Sequence, residues 1–366
     1  MVAVLVTLGA FLAYLVTSPL ALLNTALGMW FTQLFAFGGI AWYALRATGR
    51  SPVDYTGLRA WKPGAAAFGF LLGTANLVGI ATPLQFLSQR LMPESWREIY
   101  SVEGLFRGHT PVELALIVVG VGLVAPVCEE FFFRGFFLQG LKSRGGPPFK
   151  ALVWSAVFFS ALHLDPVGFL ARVELGLLFG WLWLRTGSLW PSLLAHVANN
   201  AVSMALYFLG KASETVRSAS PRQEWMTLGL YVGVGLAALG GLVLLARRFP
   251  ALLGGPPPPA AEVEAPEERL RVEPAPVLLK LAIPWVFAAT LSVTAYVVLD
   301  PVGVQLSQID WRYRLKPVPP DAPDAVHAER GMLYELRKDV RKDALVLEAY
   351  TLERIRQSKP DWRRER

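Results

Sequence analysis

Seven residues have the types and spacing to do chemistry together: Glu129, Glu130 and Arg134; Phe159 and His163; His196 and Asn200. Glu130 and Arg134 are four apart, so on a helix they share a face and the guanidinium neutralises that carboxylate. Glu129 is then rotated by about 100° from its neighbour and left without a local countercharge, which marks it as the reactive acid. Phe159 and His163 share a face, so the ring walls a site beside the imidazole. His196 and Asn200 stack one turn apart as a donor or ligand pair. A carboxylate and two imidazoles in a dry cavity suit activation of water for attack on a carbonyl, with the carboxyl shuttling protons and the His196/Asn200 pair donating to a developing oxyanion. Alternatively, Glu129, His163 and His196 form a two-imidazole, one-carboxylate set for a divalent metal such as zinc, with a position left open for water. Residue types leave both routes open, and both end in hydrolysis.

The segments that must position these groups are hydrophobic. Of 366 residues, 54% are hydrophobic and 17% charged, with a mean hydropathy of +0.41. Residues 300–366 hold 26 of the 63 charges, so residues 1–299 read as membrane-embedded. Apolar stretches near 2–17, 24–45, 64–87, 111–140, 149–164, 167–184, 189–209, 225–246 and 277–299 predict an all-α, polytopic transmembrane bundle of about eight or nine spans. The first stretch lacks a charged leader and is expected to be a retained helix. Loop charges, ten Lys/Arg on one side against six on the other, favour a cytoplasmic N-terminus and, with the composition, a bacterial inner-membrane location.

Rise along the helices, about 1.5 Å per residue, brings Glu129, His163, His196 and Asn200 to similar depths, where all four can face one buried cavity. Four prolines at 256–259 open a Pro/Ala/Glu-rich linker over 249–276. A further hydrophobic segment (277–299) and a charged soluble tail (300–366) follow it. The single cysteine, Cys128, excludes an intramolecular disulfide and any cysteine-rich metal site. The formal charge of +7 reflects loop lysines and arginines, and without a basic stripe interleaved with aromatics it points to no nucleic acid.

At these residues the chain resembles the CAAX-processing and bacteriocin-processing (CPBP, Abi) intramembrane proteases, which include the Rce1-type prenyl endopeptidases. Three motifs match in order: Glu129-Glu130-x-x-x-Arg134, Phe159-x-x-x-His163 and His196-x-x-x-Asn200. The stretch from Gly180 to Asn200 is also similar, and the resemblance covers about residues 110–202. It implies a bundle of about eight membrane helices, with Glu129 and His163 activating water and His196 with Asn200 holding the oxyanion. Glu130 and Arg134 are then structural or supporting. The implied partners are the bilayer and a membrane-associated peptide substrate, with a lipidated substrate belonging to the family association alone. The proline-rich linker, the added hydrophobic segment and the charged tail depart from the family core.

Plainer readings stand beside these. Glu130 and Arg134 suit a packing ion pair, Asn199 competes with Asn200, and Cys128 suits simple packing. Arg172 and Glu174, two apart, cannot face each other and need partners elsewhere or a place at the membrane surface. Trp154, Trp181, Trp183 and Trp190 are expected as an interfacial girdle, and His109 and His327 carry no assigned role. Two rival functions are a non-catalytic immunity or scaffold protein of the same fold, and a proton- or ion-coupled transporter. Against the transporter, no inverted repeat or matched pair of broken helices is present.

Overall fold

Side chains that satisfy the free N–H groups of the first turn set where the helices begin. Asn24 accepts from Leu27 N, Thr110 accepts from Glu113 N ahead of Pro111, and Ser220 with Gln223 forms a reciprocal capping box ahead of Pro221. Pro63 and Pro148 occupy first-turn positions, where a missing N–H is no loss. The computed structural model describes residues 2–22, 24–93, 96–97, 100–106, 109–142, 147–212 and 220–253, with six positions between 283 and 294. The linker, almost all of the 277–299 segment and the tail, His327 included, lie outside the described residues.

The described chain is all α, with no strand. The helices that matter for the site are α1 (Val2–Thr17), α2 (25–47), α3 (Pro63–Leu91), α4 (Pro111–Lys142), α5 (Pro148–Ala161), α6 (Phe169–Thr186), α7 (Leu189–Ala212) and α8 (Pro221–Arg248). Among the described residues, α3, α4, α7 and α8 are long and apolar enough to cross a membrane, and α1 and α5 are shorter apolar helices. The protein is thus an integral membrane helical bundle. Wide π turns interrupt three helices: Gln33–Gly39 in α2, Leu77–Ala81 in α3, and both Gly120–Val124 and Phe131–Leu138 in α4. Each takes up more residues per turn than the α-helix and so changes which face the following side chains present.

Two departures from the sequence expectations bear on the site. Helix α5 ends at Ala161, short of His163. His163 N and Leu164 N close tight turns onto Ser160 and Ala161, and Leu164 adopts φ +53°, so His163 sits in the turn rather than within the helix. Asp165 precedes Pro166, a position that disfavours helical backbone, which accounts for the early stop. The tryptophans also divide. Trp154 and Trp181 are exposed, as a girdle requires, but Trp183 is buried and donates to the Thr56 carbonyl, and Trp190 donates to that of Leu58. With Lys62 Nζ bound to the Thr186 carbonyl, these indoles fasten the 56–62 loop over the α6–α7 turn.

That turn is tight because Gly187 closes α6 at φ +65°, a conformation glycine adopts without penalty. Below it, α7 lies directly on α3. A Cβ at Gly69 would stand 2.1 Å from the Pro191 carbonyl oxygen, and one at Gly73 would stand 2.3 Å from that of Ala195. The two backbones meet with no room for a side chain, the small-residue contact that membrane helices use for close approach. Ala195 adjoins His196, so the contact also fixes the height of that imidazole.

Gly73→Leu should therefore destabilise the bundle by about 1–3 kcal/mol or more through overpacking. Gly229→Ala, at an α8 position with nothing within 4 Å, should be neutral or stabilising by up to about 1 kcal/mol. Thermal melting of the two variants in one detergent checks the contrast.

Candidate active site

The π turn Phe131–Leu138 and the six-residue α segment before it, Ala125–Glu130, place Glu129, Glu130 and Arg134 inward on α4. Arg134 Nη1 donates to Glu130 Oε1 at 2.6 Å and Nη2 donates to the Gly176 carbonyl of α6 at 3.1 Å, with both ionised side chains fully buried. The guanidinium also lies 4.6 Å from the centroid of the Phe159 ring and 5.2 Å from that of Phe179, where the ring quadrupoles attract it. The i,i+4 pairing legible in the sequence is thus present, and two aromatic faces line its far side.

Glu130 does more than meet Arg134. Its Oε1 also accepts from His196 Nδ1 at 2.9 Å, a contact that spacing along a single helix could not reveal. Because the ring gives Nδ1–H to a carboxylate, a neutral His196 presents Nε2 as a lone pair. His163 is fixed in the same sense: its Nδ1 lies 2.7 Å from the Phe159 carbonyl, which can only accept, so Nδ1 carries the hydrogen. Both free Nε2 atoms face one carboxylate oxygen. Glu129 Oε2 is 4.0 Å from His163 Nε2 and 3.8 Å from His196 Nε2. Phe159 presents its ring edge-on to both imidazoles, and Phe179 stacks on His196. The side chains of Glu129 and His196 are 8% and 5% exposed against 33% for His163, so the cluster is reached from the His163 side.

Asn200 lies one turn beyond His196. Its Nδ2 donates to the Val121 carbonyl in the upper π turn of α4 at 2.8 Å, and its Oδ1 accepts from Asn199 Nδ2. Neighbouring Asn199 is buried, and its Oδ1 has no hydrogen-bond partner. Of the remaining polar groups, Arg172 pairs with Asp165 at 2.7 Å and Glu174 accepts from Asn76 at 2.9 Å, so each finds a partner elsewhere. His109 pairs with Glu113 at the start of α4, and Cys128 is a buried core residue. Sequence reasoning missed Gln33 of α2, whose Nε2 donates to Glu129 Oε1 at 2.8 Å. The signal was there, a polar amide inside an apolar stretch, but a search through ionisable groups passes over it.

The charges do not balance. Two carboxylates share one guanidinium, and two imidazole lone pairs point at the unneutralised one. A cluster this dry is stable when one positive charge completes it, either a proton held among Glu129, His163 and His196 or a metal ion. The donor set suits a divalent metal chemically. Its spacings of 3.8 and 4.0 Å exceed the edge of roughly 3.3 Å expected for tetrahedral zinc with bonds near 2.0–2.1 Å. Accordingly, no group of three metal-binding side chains among the described residues is placed to hold an ion, and Glu129, His163 and His196 would have to draw closer to do so.

Fold and cluster together define a polytopic helical membrane protein with a buried carboxylate–imidazole site. Residues 111–202, spanning α4 to the middle of α7, match the family described as Type II CAAX prenyl endopeptidase Rce1-like, and through this segment the chain belongs to the CPBP family. It is 29% identical over 85 residues to "Putative membrane peptidase YdiL" of Bacillus subtilis (strain 168), a match covering 23% of this chain and about a third (34%) of that relative's length. No solved structure matches.

Removing one member of the buried pair strands the other charge. Arg134→Met alone should cost about 3–5 kcal/mol of stability, and Glu130→Gln with Arg134→Met together distinctly less. Melting temperatures of the single and double variants at equal detergent concentration check the order.

Proposed function

We propose that the chain is an intramembrane endopeptidase that hydrolyses a peptide bond in a membrane-associated substrate, with Glu129 as the water-activating base. The observation that carries this reading is the convergence of Glu129 Oε2 with two Nε2 atoms whose rings are locked by their Nδ1 hydrogen bonds. A water about 2.8 Å from each of the three atoms fits between them and has two protons to give. Glu129 takes one as the oxygen attacks the scissile carbonyl, and returns it to the leaving amine. His163, on the open side, orients the water.

The developing oxyanion needs donors. Asn200 supplies one from its Nδ2, where a second hydrogen remains beside the bond to Val121. His196 donates from Nε2 when it carries the extra proton that the charge balance calls for, with Glu130 opposite its Nδ1. A divalent metal held by Glu129, His163 and His196 would supply Lewis-acid polarisation and a more acidic water. Glu130, Arg134 and Phe159 act through the others, fixing the tautomer and the ring planes. The bilayer concentrates substrates that carry an apolar anchor. The name of the matched family suggests a C-terminal prenylated peptide, and a bacterial inner-membrane setting fits the loop charges.

Glu129→Gln and His163→Ala should fold and lose about two to four orders of magnitude in kcat. The measurement uses fluorogenic membrane peptides, with and without a C-terminal prenyl group, and protein in nanodiscs. Undiminished cleavage by Glu129→Gln would end the base assignment. Metal analysis with a chelator on the same assay separates the routes: activity that persists with no stoichiometric metal selects the proton-completed site.

A further inference from the structure

We infer that Gln33 of α2 is a positioning residue for Glu129. The inference concerns the site above, and its activity arm rests on that reading. Three observations carry it. Gln33 Nε2 donates to Glu129 Oε1 at 2.8 Å, while the other oxygen, Oε2, faces the two imidazoles. The amide thus divides the carboxylate into a tethered oxygen and a working one. Second, Gln33 opens the π turn Gln33–Gly39, and the segment Ala125–Glu130 packs against that turn, so the wide turn meets α4 where Glu129 projects. Third, the carbonyl of the same amide, Gln33 Oε1, is buried with no hydrogen-bond partner. An unpaired buried carbonyl is destabilising, so packing alone would favour an apolar side chain of the same length. The polar amide is accounted for by what its other end holds.

Gln33 lies outside the 111–202 segment, so this restraint on the acid comes from a helix that the family match does not reach. A carboxylate free to turn about its side-chain torsions would spread Oε2 over several positions. With Oε1 held, it keeps one, as a proton acceptor must for a positioned water.

The test uses full-length protein in nanodiscs and Gln33→Met, which keeps length and removes both polar ends. Gln33→Leu serves if the methionine variant does not accumulate. Infrared difference spectra of the unmutated protein against Glu129→Gln identify the Glu129 carboxyl band without any substrate, and Gln33→Met is expected to shift that band. On a fluorogenic peptide that the unmutated protein cleaves, kcat should fall about ten- to a hundred-fold, as for loss of one hydrogen bond to a charged group. KM should change less than about two-fold. In a Glu129→Gln background the same substitution should cause no further loss. An unshifted band, or equal losses in the two backgrounds, overturns the inference. If the band shifts but the unmutated protein cleaves no peptide, the positioning role stands and the peptidase reading falls.

Discussion

The Glu130–Arg134 ion pair, with no exposed atom on either side chain, is the constraint to which the remaining groups are fitted. Two charges in an apolar interior persist only when each has partners beyond the other. Here the extra partners are the Gly176 carbonyl, two phenylalanine faces and the imidazole of His196. These tie α4 to α5, α6 and α7 at one level. The pair therefore organises the site without touching the reacting atoms: by holding Glu130 in place it fixes His196, and by holding Phe159 it fixes the wall that both imidazoles share.

Much of this was legible in the sequence, for an identifiable reason. Contacts within one helix follow from spacing, so the Glu130–Arg134 pair and the Phe159–His163 edge could be read from residue numbers. Ionisable groups in apolar stretches are rare enough that three successive motifs pick out one site. Contacts across helices were not legible. The hydrogen bond from His196 to Glu130 spans 66 positions and that from Gln33 to Glu129 spans 96, and each depends on how the helices rotate against one another. The end of α5 at Ala161 was missed because hydrophobicity continues past it, although Asp165-Pro166 was visible. Trp183 and Trp190 were misread as lipid-facing because composition says nothing about a neighbouring loop that offers them carbonyls.

The site is also built unevenly. His196 stands on a helix pressed backbone to backbone against α3, while His163 stands in a turn beyond the end of α5 and is the more exposed of the two. One imidazole is set by the rigid interior and the other by a short connection with a strained Leu164. The side on which a substrate can arrive is therefore also the side where the backbone can best yield.

The wide turns of α4 make chain length there a matter of angle. Glu129 and Glu130 lie between Gly120–Val124 and Phe131–Leu138, so the helix reaches and leaves them through turns that each take up surplus chain. Excising one residue from either turn would leave an unbroken, ordinary α-helix, with its far portion swung by about 100°. In the lower turn that swing would carry Arg134 away from Glu130. A deletion too small to register as damage in most loops would act here like turning a key a quarter way round in its lock.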